Sequence, residues 1–357
     1  MTQSNTSGGE QGVHSRRSVL QAAGLLAVAG AGLGMTGCAG SGGKNTARSA
    51  PQPAAPRGRA LRIAHMTDMH VQPELRAPDG LAAAFAHAQS HAAPDMILTG
   101  GDLVMDSFGA NDARTKMQWD VFTRVVRENV KVPIHHCMGN HDIWGWHKKD
   151  SGCSGNEPLW GKKRFCDVLG LERQYYALRE RGWKIIVLDT IQPDGGDGYL
   201  GGLDDAQFEW LKGELTGLSA DEHVLVLSHI PIINISTVLA DTRAVGDKWE
   251  LSGGLMCLDA KRIVSLFANC PNVKAAISGH IHTQEDVMFQ GVRYLNNGAV
   301  CGNWWKSQEK SKTERHAAGM NVKGWNPLRS DPGYAVLDLH EDGRVACEYV
   351  GYGWVGA

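Results

Sequence analysis

The sequence predicts an α/β fold on three observations. From Leu61 onward, short apolar runs end in polar or glycine-rich turns. Between several of these runs lie longer stretches whose apolar residues recur at helical spacing. Towards the end of the chain the runs alternate apolar and polar, as antiparallel or edge strands do. Hydrophobic residues make up 42% and charged residues 21% of the 357 residues. That is ordinary globular usage, and it excludes a mostly disordered chain and a polytopic membrane protein.

The elements follow in order. Leu61 to Met66 is a strand ending at Thr67-Asp68-Met69-His70, and Leu81 to Ser90 is Ala-rich and helical. Met96 to Leu98 is a strand ending at Gly100-Gly101-Asp102. Trp119 to Glu128 is a helix with Phe122, Val125 and Val126 on one face. Val132 to Met138 is a strand ending at Gly139-Asn140-His141-Asp142, and Trp183 to Leu188 is another. Asp204 or Asp205 caps a helix running through Leu215. Val224 to Leu227 is a strand ending at Ser228-His229. Ala260 to Phe267 is a helix, and Val273 to Ile277 a strand ending at Ser278-Gly279-His280-Ile281-His282. Val292 to Leu295, Tyr334 to Leu339 and Val345 to Tyr349 are the alternating runs. Gly302 to Pro332 has no clear periodicity, which for a stretch this long points to a functional loop. Residues 60–353 read as one domain.

The first 37 residues read as an address rather than as part of the fold. A polar, Gly/Ser-rich start leads to Ser15-Arg16-Arg17-Ser18-Val19-Leu20 and then to a weakly apolar Ala/Gly run ending at Met35. That run has too many glycines to span a membrane stably. It resembles a twin-arginine (Tat) export signal, which implies the Tat translocation machinery as a partner and an exported protein of the periplasm or cell envelope. Met35-Thr36-Gly37-Cys38 resembles a lipobox with Met where Leu is preferred, so Cys38 is a candidate lipid anchor; cleavage at nearby small residues is the alternative. Residues 38–59 have the composition of a flexible tether. Lys plus Arg number 36 against 38 Asp plus Glu, a net charge of −2, so no basic field draws a nucleic-acid polymer. Of the eight cysteines, Cys153 and Cys166 flank a Gly-rich loop and are a candidate disulfide after export.

Polar residues fall where strands end. Asp68 and His70, Asp102, Asn140 and His141, His229, then His280 and His282 each follow an apolar run. Ligands of open α/β sheets bind outside the carboxyl ends of strands, so loops leaving one sheet edge are expected to gather these groups. Alternation along an extended Gly-His-Ile-His segment is expected to point both of its histidines to one side. Imidazole mixed with carboxylate suits Zn, Mn or Fe better than Ca or Mg. The set is too large for one tetrahedral ion, which implies two. Two ions about 3.5–4 Å apart, bridged by Asp or hydroxide, activate water and offset charge in phosphoryl transfer. A neutral His near the leaving oxygen supplies a proton. Gly100, Gly101, Gly139 and Gly279 permit the tight turns this requires.

These five groups resemble the calcineurin-like metallophosphoesterase family over about Leu61 to Asn303. The resemblance implies a double β-sandwich flanked by helices, in four α/β/β/α layers, with a dinuclear site. Carried over, Asp68, His70, Asp102 and His282 would hold one metal. Asp102 would bridge to a second held by Asn140, His229 and His280. His141 would be the acid near the leaving group or a phosphate contact, with Asp142 as its candidate orienting group. His70, and the lack of a Tyr soon after Asp102, make the chain more similar to bacterial cyclic-nucleotide phosphodiesterase-like members than to the purple acid phosphatases. The implied function is hydrolysis of a small phosphomono- or phosphodiester by a metal-bridging hydroxide. The alternatives are a non-catalytic metal- or ligand-binding lipoprotein on the same scaffold, or a metallo-hydrolase of a non-phosphorus bond.

Other residues have plainer readings. One of His135 and His136 points into the fold and the other out, and His87 and His91 share a solvated helix face. Asp194, Asp197, Asp204 and Asp205 are turn and cap residues. One of Trp304 and Trp305 is expected to wall a pocket as a stacking platform or else to pack in the core. Trp144 and Trp146, followed by His147, are candidates for the mouth of the site.

Overall fold

The first strand begins where the composition turns apolar. In the computed structural model, which describes residues 58–240, 242–307 and 329–356, β1 runs Arg59–Met66. The export signal, Cys38, nearly all of the tether and most of the aperiodic stretch lie outside the described residues. After β1 come α1 (Ala77–His87), β2 (Met96–Thr99), α2 (Asp112–Asn129), β3 (Ile134–His136), α3 (Lys148–Ser151) and α4 (Lys163–Leu169). Next are β4 (Tyr176–Glu180), β5 (Trp183–Val187), β6 (Ile191–Pro193), β7 (Tyr199–Gly201), α5 (Asp205–Leu215) and β8 (His223–Leu227). The remaining elements are α6 (Ile235–Ala240), β9 (Arg243–Val245), β10 (Lys248–Glu250), α7 (Ala260–Ala268), β11 (Val273–Ser278), β12 (Glu285–Phe289), β13 (Val292–Asn296), β14 (Gly333–His340) and β15 (Val345–Gly351).

Two mixed sheets form from these strands. One has the order β15-β14-β1-β2-β3, the other β12-β13-β11-β8-β5-β4. Strands β1, β2 and β3 pair in parallel, as do β5, β8, β11 and β13. Val292 to Leu295 reads as an antiparallel or edge strand; β13 is antiparallel to β12 as expected, but it also pairs in parallel with β11 and so is interior rather than an edge.

The period of two sorts each strand into two cores. Leu61 and Ile63 of β1, Ile185 and Val187 of β5, Leu225 and Leu227 of β8, and Ala275 and Ile277 of β11 are fully buried in one cluster between the sheets. Alternate residues such as Ala64, Ile186, Val226 and Ala276 join a second cluster with Phe85, Trp119, Phe122, Leu211, Ile263 and Phe267 of the covering helices. The layers are therefore helix, sheet, sheet, helix, the double β-sandwich that the motifs implied.

Several bounds differ from the sequence reading for identifiable reasons. Helix α2 starts at Asp112, not Trp119, because Asn111 caps it by accepting the Arg114 N–H at 2.9 Å. Its first turns bury Thr115 and Gln118 rather than hydrophobes, and the Gln118 amide bonds both backbone groups of Asp106. Helix α1 starts at Ala77 with Pro78 in its first turn and passes into a wider turn over Ala88–Ala92. Strands β4 and β12 and the β6–β7 and β9–β10 hairpins escaped the reading because their faces are partly exposed and polar. Asp204 caps α5 through the Gln207 N–H, and Asp194 closes a turn onto Gly196 and Gly198. Cys153 and Cys166 are separate thiols, which corrects the disulfide reading.

Truncating Ile185 to Ala would open a cavity between the sheets. The loss of stability is expected to be about 2–5 kcal/mol, measured by urea unfolding at unchanged slope.

Candidate metal centre

The carboxyl ends of two sheets, not of one, supply the clustered side chains. Asp68 and His70 follow β1, Asp102 follows β2, and Asn140 and His141 follow β3 in the first sheet. His229 follows β8, and His280 and His282 follow β11 in the second. One edge cannot hold them all, because the parallel strands are divided between two stacked sheets. Loop hydrogen bonds tie the two ends together. The His280 N–H donates to both Asp68 oxygens at 3.1 and 3.0 Å, Val300 N–H to Thr67 O at 2.9 Å, and His229 Nδ1 to Gly100 O at 2.8 Å.

The backbone here is turned tightly. Asp68, His70, Asp102, His280 and His282 all have left-handed conformations, with φ of 54°, 42°, 53°, 71° and 59°. Each costs on the order of 1 kcal/mol or more, a strain that clusters at functional sites. His280 and His282 are thus not in extended chain, which corrects the alternation argument. They face different groups: His282 meets Asp68 and His70, while His280 meets His229 and Asp102. The glycines act mainly by closeness. A Cβ on Gly139 would overlap Asp102 N and Oδ1, and one on Gly279 would overlap Thr67 Oγ1 and Asp68 Oδ2.

Donor atoms converge in two sets linked through His70 and Asp102, and a third grouping, His70 with Asp102 and His141, lies between them. In one, His282 Nε2 lies 3.2 Å from Asp68 Oδ1 and 3.2 Å from His70 Nε2, which is 3.5 Å from Asp102 Oδ2. In the other, His229 Nε2 lies 3.2 Å from Asp102 Oδ2, 3.1 Å from Asn140 Oδ1 and 3.2 Å from His280 Nδ1. The far nitrogens of this second set are committed: His229 Nδ1 bonds Gly100 O, and His280 Nε2 bonds Gly254 O at 3.0 Å. A carbonyl accepts only, so each far nitrogen carries the proton. Neutral rings then turn two lone pairs toward one another and toward two oxygens. A cation resolves that crowding, and the mixed N/O donors suit Zn, Mn or Fe.

Electrostatics agree. Burial opposes the charge on Asp68, yet His282 and His229 hold it below the usual carboxylate range. Burial likewise opposes Asp102, and His229 and His141 hold it well below. Burial would lower His229, but Asp102 beside it raises the ring to about 9. A proton is attracted to the place where a cation would stand. Burial, with His229 adjacent, lowers His280 to about 3.

His141 stands at the edge of the cluster. Its main-chain N–H donates to Asp102 Oδ1 at 2.8 Å, and its ring meets His70 edge-on at 4.8 Å with 27% of the side chain exposed. Asp142 does not orient this ring. Its oxygens accept the N–H groups of Leu103, Val104 and Gly139 at 2.8–3.2 Å, which pins the loops after β2 and β3 together. The carboxylate facing His141 is Asp106, 3.8 Å from Nδ1.

The tryptophans divide. Trp304 and Trp305 lie in a left-handed turn, not a strand. Trp304 covers the first set, its ring 4.1 Å from His70 and 5.2 Å from His282. Trp305 is buried and donates Nε1–H to Met69 O and His70 O at 2.9 and 3.0 Å. Trp144 is buried beneath Arg164, while the half-buried Trp146 packs edge-on against Phe108. His65 and Asn297 were missed: His65 is fully buried in β1, burial lowers it to about 3, and Asn297 contacts its Nδ1 at 2.6 Å. His136 is buried against Thr99, His135 is half-buried, and His87 pairs with Tyr334.

Comparison with known proteins agrees with this geometry. Residues 61–284 match the calcineurin-like phosphoesterase family model. A probable cyclic nucleotide phosphodiesterase of Synechococcus is 28% identical over 229 residues, 62% of this chain and 73% of the relative. A 3',5'-cyclic adenosine monophosphate phosphodiesterase of Pseudomonas aeruginosa is 24% identical over 253 residues, 70% of this chain and 72% of the relative. Among solved structures, a dimetal phosphatase from Danio rerio shares the fold with a TM-score of 0.56 at 14% identity, over 83% of this chain and 97% of that one. The chain belongs to the calcineurin-like phosphoesterase family and is a metal-dependent hydrolase of phosphoester bonds.

Proposed function

We propose that the protein is an exported phosphodiesterase of small diesters with a dinuclear centre. The observation that carries this reading is the run of overlapping donor groups from Asp68, His70 and His282 through Asp102 to His229 and His280, which His141 joins at its open edge beside His70 and Asp102. Asp68, His70 and His282 would hold one ion; Asn140, His229 and His280 would hold the other; Asp102 would contribute to both. When bound, the ions supply Lewis acidity, which makes water a nucleophile near neutral pH and offsets charge on the phosphoryl oxygens.

The chain's own groups do the rest. Asp102 Oδ1 fixes the backbone of His141, which keeps that half-exposed ring beside the reacting group. His141 would hand a proton to the departing oxygen as the ester P–O bond breaks. Phosphorus gains the oxygen of water, the alcohol leaves with the proton, and the ring recovers one from the attacking water. The Gly100 and Gly254 carbonyls keep the His229 and His280 rings in the tautomers that aim lone pairs inward. The described activities of the two bacterial relatives support a diester. Arg16-Arg17 before the apolar run supports Tat export, and Cys38 supports a lipid anchor, so the substrate would lie outside the cytoplasm.

Asp102→Asn is expected to lose bound metal and hydrolysis of an aryl phosphodiester together, read by elemental mass spectrometry and by kcat/KM. A variant that keeps its metal and full turnover would sink the proposal. His141→Ala is expected to keep most of its metal while kcat falls about 10²–10⁴-fold, the usual contribution of a placed proton donor. Changing Arg16→Lys and Arg17→Lys together is expected to leave uncleaved precursor in the cytoplasm, read by cell fractionation and intact mass. Export at the normal level would remove the Tat assignment.

A further inference from the structure

A cleft of about 310 Å³ opens beside His141. Its walls include Asp106, Phe108, His147, Asp150 and Tyr199. Phe108 and Tyr199 meet edge to face at 5.7 Å, and Tyr199 meets His280 at 6.2 Å, so the aromatic wall runs outward from the metal centre. Two carboxylates share the cleft. Asp106 Oδ1 accepts the N–H groups of Phe108 and Gly109 at 2.8 and 3.3 Å and faces His141 Nδ1 at 3.8 Å. Asp150 lies one helical turn beyond His147, its Oδ2 3.2 Å from that ring's Nδ1. None of the described residues lining the cleft is Lys or Arg. The Lys162 ammonium, behind Trp146, is held by Asp189 and the Ile191 carbonyl.

This combination has a defined preference. Aromatic faces and carboxylates both attract a cation. Recognition of a second phosphate or of a carboxylate would call for Arg or Lys. The position beside His141 is where a leaving oxygen takes its proton. Resting on the phosphodiesterase reading, we propose that this cleft receives the leaving alcohol and selects one bearing a positive charge, of the amino-alcohol or quaternary ammonium class. Asp106 and Asp150 are its specificity-determining residues.

The test compares three methyl phosphodiesters whose leaving phenols carry a para trimethylammonio group, no substituent, or a para carboxylate. The reading is the ratio of kcat/KM for the cationic ester to that for the anionic one. Differences in intrinsic phenol reactivity cancel when variants are compared with the unmodified protein. Asp150→Asn, at an exposed position, and Asp106→Asn, which keeps an oxygen for the Phe108 and Gly109 N–H groups, are each expected to lower that ratio about threefold, the scale of one solvent-exposed charge contact. Asp120→Asn, on the outer face of α2, is the control and leaves the ratio unchanged. Added salt is expected to lower the ratio in the unmodified protein and less so in Asp150→Asn. If the ratio falls less than about 1.5-fold in both cleft variants, a difference under the strength of a single such contact, the inference is wrong. If the unmodified protein does not hydrolyse even the neutral ester, the phosphodiesterase reading itself fails; turnover of that ester with unchanged ratios overturns the cleft assignment alone.

Discussion

The organising constraint is the burial of electron-rich atoms that face one another. Asp68, Asp102, His70 and His229 are nearly or fully inaccessible, and their donor atoms lie within 3.2–3.9 Å of other donors. Water cannot solvate them, so the arrangement is tolerable only with positive charge among them. That requirement explains the left-handed backbone at five of the clustered residues and the glycines that let loops touch. It also explains why carbonyls, not side chains, hold the outer nitrogens of His229 and His280. A carbonyl cannot give up its role by titrating.

The sandwich supplies the rigidity this strain needs. Leu61, Ile63, Leu225, Leu227, Ala275 and Ile277 lock the inner faces of the two sheets, and each lies a few residues before a clustered side chain. Asp142 spans the loops after β2 and β3, while Trp305 clasps the turn at His70. Neither residue touches the centre of the cluster with its polar atoms. Both convert core packing into fixed positions for groups that would otherwise repel.

Much of this was legible in the chain. Apolar runs followed by Asp68-x-His70, Gly101-Asp102, Gly139-Asn140-His141, Ser228-His229 and Gly279-His280-Ile281-His282 marked the strands and the cluster together, because a period of two and a strand-end loop are local properties. The helix starts at Ala77 and Asp112 were less legible, since buried Gln118 and Thr115 break the apolar pattern while meeting their hydrogen bonds inside. His65, Asp106 and Tyr199 had no motif at all.

The sequence by itself determined which residue types end each strand, and with them the metal-dependent phosphoester chemistry. Only the tertiary structure decided how those ends are shared. Stacking divides the parallel strands between two sheets, and left-handed turns send His280 and His282 to different donor sets. Orientation across space depends on φ, register and sheet packing, none of which is encoded in spacing along the chain. The same holds for Asp106, Phe108 and Tyr199, which come to line one wall beside His141 through contacts far apart in sequence.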